Sequence, residues 1–210
     1  MLKIYPMPLG DFQANCYVIT VGQDALIVDP GDEATKIITY IQTKGLNPVA
    51  ILLTHGHFDH IGALKEVYQQ YQVPVYVHTL ETDYLIDPTV NLSVAAGKKP
   101  IAFDDLSPFT FIDKDKDITL LGEKITVRHV PGHSAGSIAF YFSESSVVFS
   151  GDALFKGSIG RTDLLHGNHN QLINSINTQL FTLPDDTIVY SGHGPATTIK
   201  DEQETNPFFN

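Results

Sequence analysis

Thr54-His55-Gly56-His57-Phe58-Asp59-His60 packs three imidazoles and a carboxylate into one short run, a density of metal-ligand side chains that a folding core has no use for. Three more candidates lie further along, His133, Asp152 and His193, each directly after a glycine (Gly132, Gly151 and Gly192). Five imidazoles and two carboxylates suit zinc or iron better than calcium or magnesium, which prefer all-oxygen shells. His55 and His57, alternating along an extended loop, can point the same way and make half of one metal site, with Gly56 permitting a tight backbone. Asp59 and His60 are adjacent, project in different directions at a helix start, and can serve a second ion. Two cations about 3.5 to 4 Å apart can hold a bridging water, lower its pKa from about 15.7 toward neutrality, and polarise the carbonyl it attacks.

The elements that must position these residues are legible around them. The apolar run 49–53 has strand length and precedes the cluster, while Ile61, Leu64, Tyr68 and Tyr71 recur after it at helical spacing. The cluster therefore sits at a strand's C-terminal end, where open α/β sheets place their sites. His133, Asp152 and His193 likewise follow apolar strands. Short strands are expected over 4–6, 15–20 and 25–28, then a helix capped by Asp32 that carries Ile37, Ile38 and Ile41 and stops at Gly45. Segment 87–117, with Pro88, Pro100 and Pro108, reads as a long irregular excursion. A hairpin around Gly122-Glu123, strands over 138–142 and 147–150, a helix carrying Leu172, Ile173, Ile176 and Leu180, and a strand over 187–190 complete the order. Two sheets with helices outside, in a single domain spanning 1–210, satisfy this pattern.

Composition bounds the partners. With 13 Lys and Arg residues and a formal net charge of −11, the chain lacks the concentrated basic surface that nucleic acid requires. No signal peptide or membrane-spanning run is evident, so a cytoplasmic protein is expected. Cys16 is the only cysteine, which excludes an intrachain disulfide and a sulfur-ligated zinc site, and its apolar surroundings predict burial.

The order His-x-His-x-Asp-His, Gly-His, Gly-Asp, Gly-His resembles the metallo-β-lactamase superfamily of metal hydrolases. Thr54 to His60, Pro131-Gly132-His133-Ser134, Gly151-Asp152-Ala153-Leu154-Phe155 and Ser191-Gly192-His193-Gly194 look most like its glyoxalase II (hydroxyacylglutathione hydrolase) branch. The resemblance implies an α/β fold, the αββα sandwich of two mixed sheets flanked by helices. It implies two divalent ions, zinc with iron or manganese as alternatives, the first held by His55, His57 and His133, the second by Asp59, His60 and His193, with Asp152 bridging. It implies hydrolysis of a small-molecule thioester by a metal-bridging hydroxide, with Asp59 orienting the water or shuttling its proton. A thiolate leaving group, with a pKa near about 8.5, needs little help from a general acid.

Carrier recognition departs from that branch. Beyond His193 the sole basic side chain is Lys200, and Pro195 stands where the family usually has an aromatic residue. Arg161, nine residues past Asp152, occupies a position where the family often contacts glutathione, and equally can pair structurally with Asp163 or Asp152; Asp163 replaces its aromatic partner. Gly160-Arg161-Thr162-Asp163 also resembles mononuclear iron persulfide dioxygenases of the same fold, in which His55, His133 and Asp152 would form a two-histidine, one-carboxylate triad. Lactone hydrolysis and a silent metal-binding module complete the alternatives. His78, His129, His166 and His169 read as ordinary structural or surface residues. Gly132 to Gly136 also fits the nucleophile-elbow pattern around Ser134, but that motif demands a following helix and this segment reads as strand. Asp113, Asp115 and Asp117 start like a calcium loop but lack its glycine and final acid, and read as a solvated charge run.

Overall fold

The computed structural model describes residues 1–210, which divide into two units, Met1–Ile112 and Asp113–Asn210. The first holds β1 (Lys3–Leu9), β2 (Ala14–Val21), β3 (Asp24–Val28), α1 (Ala34–Thr43), β4 (Asn47–Leu52), α2 (Phe58–Ile61), α3 (Leu64–Tyr71), β5 (Val75–His78), α4 (Thr82–Ile86) and β6 (Phe109–Ile112). Its six strands lie in sequence order, antiparallel from β1 to β3 and parallel from β3 to β6. Parallel neighbours need a crossover, which α1, the α2–α3 pair and the α4 segment supply. β1 is an edge strand, a position where Pro6 and Pro8 can be accommodated without breaking the ladder. Ile37 and Ile41 of α1 and Leu64 and Val67 of α3 are buried in one apolar core with Val18, Ile27, Ile51 and Val77 of the sheet.

Two expectations are corrected here. α1 starts at Ala34, and Asp32 does not cap it. The Asp32 carboxylate accepts the Glu33 N–H at 2.7 Å while Glu33, at φ 49°, occupies the cap position. Glu33 in turn accepts the Gly10 N–H at 3.1 Å, so the helix start is tied to the β1–β2 turn rather than to its own first turn. The irregular excursion also ends earlier than expected: Phe109-Thr110-Phe111-Ile112 pairs in parallel with β5, and the Asp117 end of the segment already lies in a strand. The remaining loop, 87–108, is anchored by buried Asn91, whose Nδ2 donates to the Tyr84 and Ile101 carbonyls at 2.8 Å each.

The second unit holds β7 (Lys116–Leu120), β8 (Glu123–His129), β9 (Ile138–Phe142), β10 (Val147–Gly151), β11 (Leu154–Phe155), β12 (Ser158–Ile159), α5 (His169–Ser175), β13 (Ile188–Ser191), β14 (Thr197–Thr198) and α6 (Ile199–Thr205). Its main sheet runs β14-β13-β10-β9-β8-β7, with β10 and β13 the parallel pair. The β7–β8 turn falls on Leu121 and Gly122, at φ 56° and 75°, one residue earlier than expected, because Glu123 already pairs with Leu120. Left-handed backbone at both turn residues matches the twist of a two-residue hairpin. Asn168 caps α5 by accepting the Gln171 N–H at 3.0 Å. The apolar spacing runs on past α5 through a π-helical turn at Ile176–Leu180, which keeps Leu172, Ile176 and Leu180 buried against Val130, Val148 and Val189.

Gly132 sits where that helix meets the loop after β8. Its φ of 131° disfavours any side chain, and a Cβ there would strike the Leu172 backbone. Asn168 N–H and Ser175 Oγ–H fasten the same stretch by donating to the Gly132 and Pro131 carbonyls at 2.8 Å each. Gly132→Ala is expected to destabilise the protein by more than about 2 kcal/mol, the sum of strained backbone and forced displacement of α5. Urea unfolding checks this, and an unchanged midpoint would contradict it.

Candidate metal centre

In the first unit the donors cluster at the C-terminal ends of parallel strands. β3 ends into Asp29 and β4 into Thr54-His55, and the Asp29 N–H donates to the Leu52 carbonyl at 3.0 Å, which sets the two strand ends side by side. His55, His57 and His60 are buried, with relative exposures of 0%, 4% and 0%, and Asp59 is half-buried at the start of α2. The ligand atoms of His55 and His57 lie within 4.8 Å of each other, as do those of Asp59 and His60. The glycine at position 56 has a steric cause: a Cβ there would collide with Tyr84 and crowd the carboxylate of buried Glu81, which accepts the Gly56 N–H at 2.7 Å.

Asp29 is the residue that sequence reasoning missed. At φ 48° and 2% exposure it accepts the Thr54 N–H at 2.8 Å, the Thr54 hydroxyl at 2.6 Å and His60 Nδ1–H at 2.9 Å. His55 Nδ1 is 3.1 Å from the same hydroxyl, and because that hydroxyl gives its proton to Asp29 it receives one from His55. One buried carboxylate thus orients both imidazoles, so that Nε2 of each would be the ligand atom for a metal. The signal was present but weak: an aspartate followed by Pro30-Gly31 at a strand end reads as turn chemistry.

In the second unit Asp152 and His193 leave the adjacent parallel strands β10 and β13. Gly151 pairs with Ser191, and the Gly192 N–H donates to the Gly151 carbonyl at 2.8 Å. Asp152 Oδ2 lies 3.6 Å from both His133 Nε2 and His193 Nε2. Those separations suit one carboxylate oxygen set among imidazoles around cations. His133 Nδ1–H donates to the Arg161 carbonyl at 2.8 Å, so that Nε2 would be its ligand atom for a metal. The Arg161 backbone therefore has a positioning role that its side chain did not announce. Its guanidinium makes two hydrogen bonds of 2.8 Å to Asp163, which hold the Asp163 carboxyl at about 2.

The remaining candidates behave as ordinary residues. Ser134 Oγ pairs with Ser137 Oγ at 2.7 Å and is followed by strand β9, not by a helix. His78 Nδ1 accepts the Leu80 N–H at 3.2 Å, and His129 Nε2–H donates to the Ala135 carbonyl at 3.0 Å. Asp115 accepts the His129 N–H and Asp117 pairs with Lys124, both at 2.7 Å, so the acidic run is spent on local structure. Cys16 is fully buried, and burial pushes its thiol well above the usual range. Within each unit the donor chemistry fits divalent zinc or iron: buried imidazoles with Nδ1 fixed by oxygen acceptors, and carboxylates beside them.

The sequence matches the profile of the Metallo-beta-lactamase superfamily over residues 9–193. A probable metallo-hydrolase of Bacillus subtilis (strain 168), YqgX, is 46% identical across 100% of this chain and 98% of its own. The hydroxyacylglutathione hydrolase GloC of Haemophilus influenzae is 38% identical across 100% of this chain and 99% of its own. Among solved structures, the B3 metallo-β-lactamase BLEG-1 superposes with a TM-score of 0.94 at 44% identity, covering 99% of each chain. TTHA1623 in a di-iron-bound form superposes at 0.85 with 39% identity, covering 97% of this chain and 99% of its own. No helix is long and apolar enough to cross a membrane. Two mixed sheets with their helices are the α/β class expected from the sequence, the αββα metallo-β-lactamase type. The profile match, the whole-length relatives and the fold agree that the chain belongs to the metallo-β-lactamase superfamily, whose proteins bind divalent metals.

Proposed function

We propose that the protein is a cytoplasmic hydrolase that cleaves small-molecule thioesters, with no role for nucleic acid or membrane. The observation that carries this reading is the seven-residue donor set in a chain similar over its whole length to GloC, a hydroxyacylglutathione hydrolase. In this reading His55, His57 and His133 would hold one divalent ion, Asp59, His60 and His193 a second, and Asp152 both. Zinc is the metal proposed, with iron, present in TTHA1623, or manganese as alternatives. Such ions, when bound, acidify water and polarise a carbonyl.

The chain's own groups do the rest. The Asp59 carboxylate orients the attacking water and takes up or passes on its proton. Asp29, through His60 and Thr54, keeps the imidazoles in one tautomer. No further general acid is required, because a thiolate with a pKa near about 8.5 leaves as the anion at neutral pH, whereas an amide nitrogen must be protonated. Arg161 is proposed to meet the outer part of the substrate, where a substrate carboxylate would compete with Asp163.

A second reading, β-lactam hydrolysis, is favoured by the likeness to BLEG-1. Metal analysis of freshly purified protein followed by a substrate panel separates the readings. About two zinc ions per chain and S-acylglutathione hydrolysis with kcat/KM of at least about 10⁴ M⁻¹s⁻¹ is the expected result. Opening of a β-lactam ring without thioester cleavage would replace the proposal, and one iron with oxygen consumption on a persulfide would favour the dioxygenase alternative.

A further inference from the structure

Glu202, in α6, is a carboxylate outside the proposed donor set, and it is only 1% exposed. Its Oε2 accepts the Gly157 N–H at 2.9 Å and Asn206 Nδ2–H at 2.8 Å, and its Oε1 accepts the Thr197 hydroxyl at 2.6 Å. Asn206, fully buried, also donates from Nδ2 to the Ser158 carbonyl at 3.1 Å. Together the two side chains grip one backbone N–H and one backbone carbonyl at the tip of the β11–β12 hairpin. A buried charge is costly unless hydrogen bonds compensate it, and here the compensation is directed at that tip.

The hairpin has little to hold it by itself. Its ladder consists of Leu154 opposite Ile159 and Phe155 opposite Ser158, and a short two-stranded ribbon is marginal alone. Yet it adjoins every donor candidate of the second unit. It departs just after Asp152 and returns at Gly160, which packs so closely on the Asp152 carbonyl that a Cβ there would overlap it. The next residue, Arg161, supplies the carbonyl that receives His133 Nδ1–H at 2.8 Å. Phe155 meets His193 edge to face, with ring centroids 6.1 Å apart.

We infer that α6 is a latch on the metal centre, with Glu202 and Asn206 as positioning residues that fix the β11–β12 hairpin and, through it, the His133 imidazole and the Asp152 carboxylate. The inference rests on the donor set proposed above and is independent of the substrate. In Glu202→Gln the side chain keeps its shape, but one of its two oxygens becomes an amide that cannot accept, so at least one of the three donors loses its partner.

Wild type, Glu202→Gln and Ile125→Ala would be compared by chelator competition for zinc and, in the metal-free protein, by nitrogen NMR of the His133 ring. Ile125 is fully buried on β8, whose neighbours are β7 and β9, so its truncation destabilises the same unit away from the latch. Zinc binding is expected to weaken about tenfold in Glu202→Gln, the lower end of the loss that follows disturbance of the group behind a histidine ligand. His133 is expected to move from the Nδ1–H tautomer of wild type toward a mixture of both. Ile125→Ala is expected to lower the urea midpoint and leave both readings at wild type. If Glu202→Gln does not fold, Thr197→Val, which removes only the 2.6 Å bond, must shift both readings in the same direction. An unchanged value of either reading overturns the latch, as do equal shifts in Ile125→Ala or a wild type that binds no zinc. Neither reading uses a substrate, so a wild type that loads zinc but cleaves no thioester would sink the functional reading alone.

Discussion

Asp152→Ala is expected to lower thioester turnover by at least about 10²- to 10³-fold, the scale on which enzymes lose a principal electrostatic element. The side chain is only 10% exposed, and its Oδ2 stands 3.6 Å from two imidazole Nε2 atoms. A carboxylate held there without cations carries a desolvation cost, so the metal-free variant should be no less stable than metal-free wild type. Metal content should fall below two ions per chain in the variant. Atomic absorption, kinetics and thermal unfolding of metal-free protein read the three effects separately, and Asp152→Asn, which keeps the side chain's shape, guards against a folding defect. A variant that retained both metal loading and turnover would remove Asp152 from the proposed site.

Asp29→Asn should weaken metal binding by about 10- to 100-fold, as loss of an orienting carboxylate behind a histidine ligand does. The carboxylate accepts three hydrogen bonds, from Thr54 N–H, the Thr54 hydroxyl and His60 Nδ1–H. An amide group can accept through only one of its two heavy atoms, so at least one buried donor loses its partner. The expected cost to the metal-free fold is about 1–3 kcal/mol. Competition with a chelator measures the first effect and urea unfolding the second. Because Thr54 links His55 to Asp29, Thr54→Val should reproduce part of the affinity loss, and normal chelator resistance in both variants would refute the orienting role.

These two residues differ in how they announced themselves. Asp152 stands after an apolar run and a glycine, a pattern short enough to be read along the chain, as do His133 and His193. The run from His55 to His60 is likewise local. Strand and helix order followed from apolar periodicity, since burial on one face repeats every two or 3.6 residues. β6 escaped that reading because four residues between Pro108 and a run of aspartates carry little periodicity, and only pairing with β5 makes them a strand. Asp32 escaped it because its carboxylate accepts the adjacent Glu33 N–H while Glu33, held by Gly10 from 23 positions away, takes the cap position.

The sequence alone determined which residues are candidate donors, the family they resemble and the absence of a cysteine among those candidates, because residue type and short spacing are written in the chain. Tertiary structure decided which groups stand behind the candidate donors, Asp29 under His60 and Thr54 and the Arg161 carbonyl under His133, and which loops are tied together, as Lys98 ties to Asp11. Those partners lie between 25 and 87 positions apart, and at such separations only the pairing of strands and the packing of loops sets which polar groups meet. A carboxylate or a backbone carbonyl carries no mark of its partner until the fold removes both from water and requires that they satisfy each other.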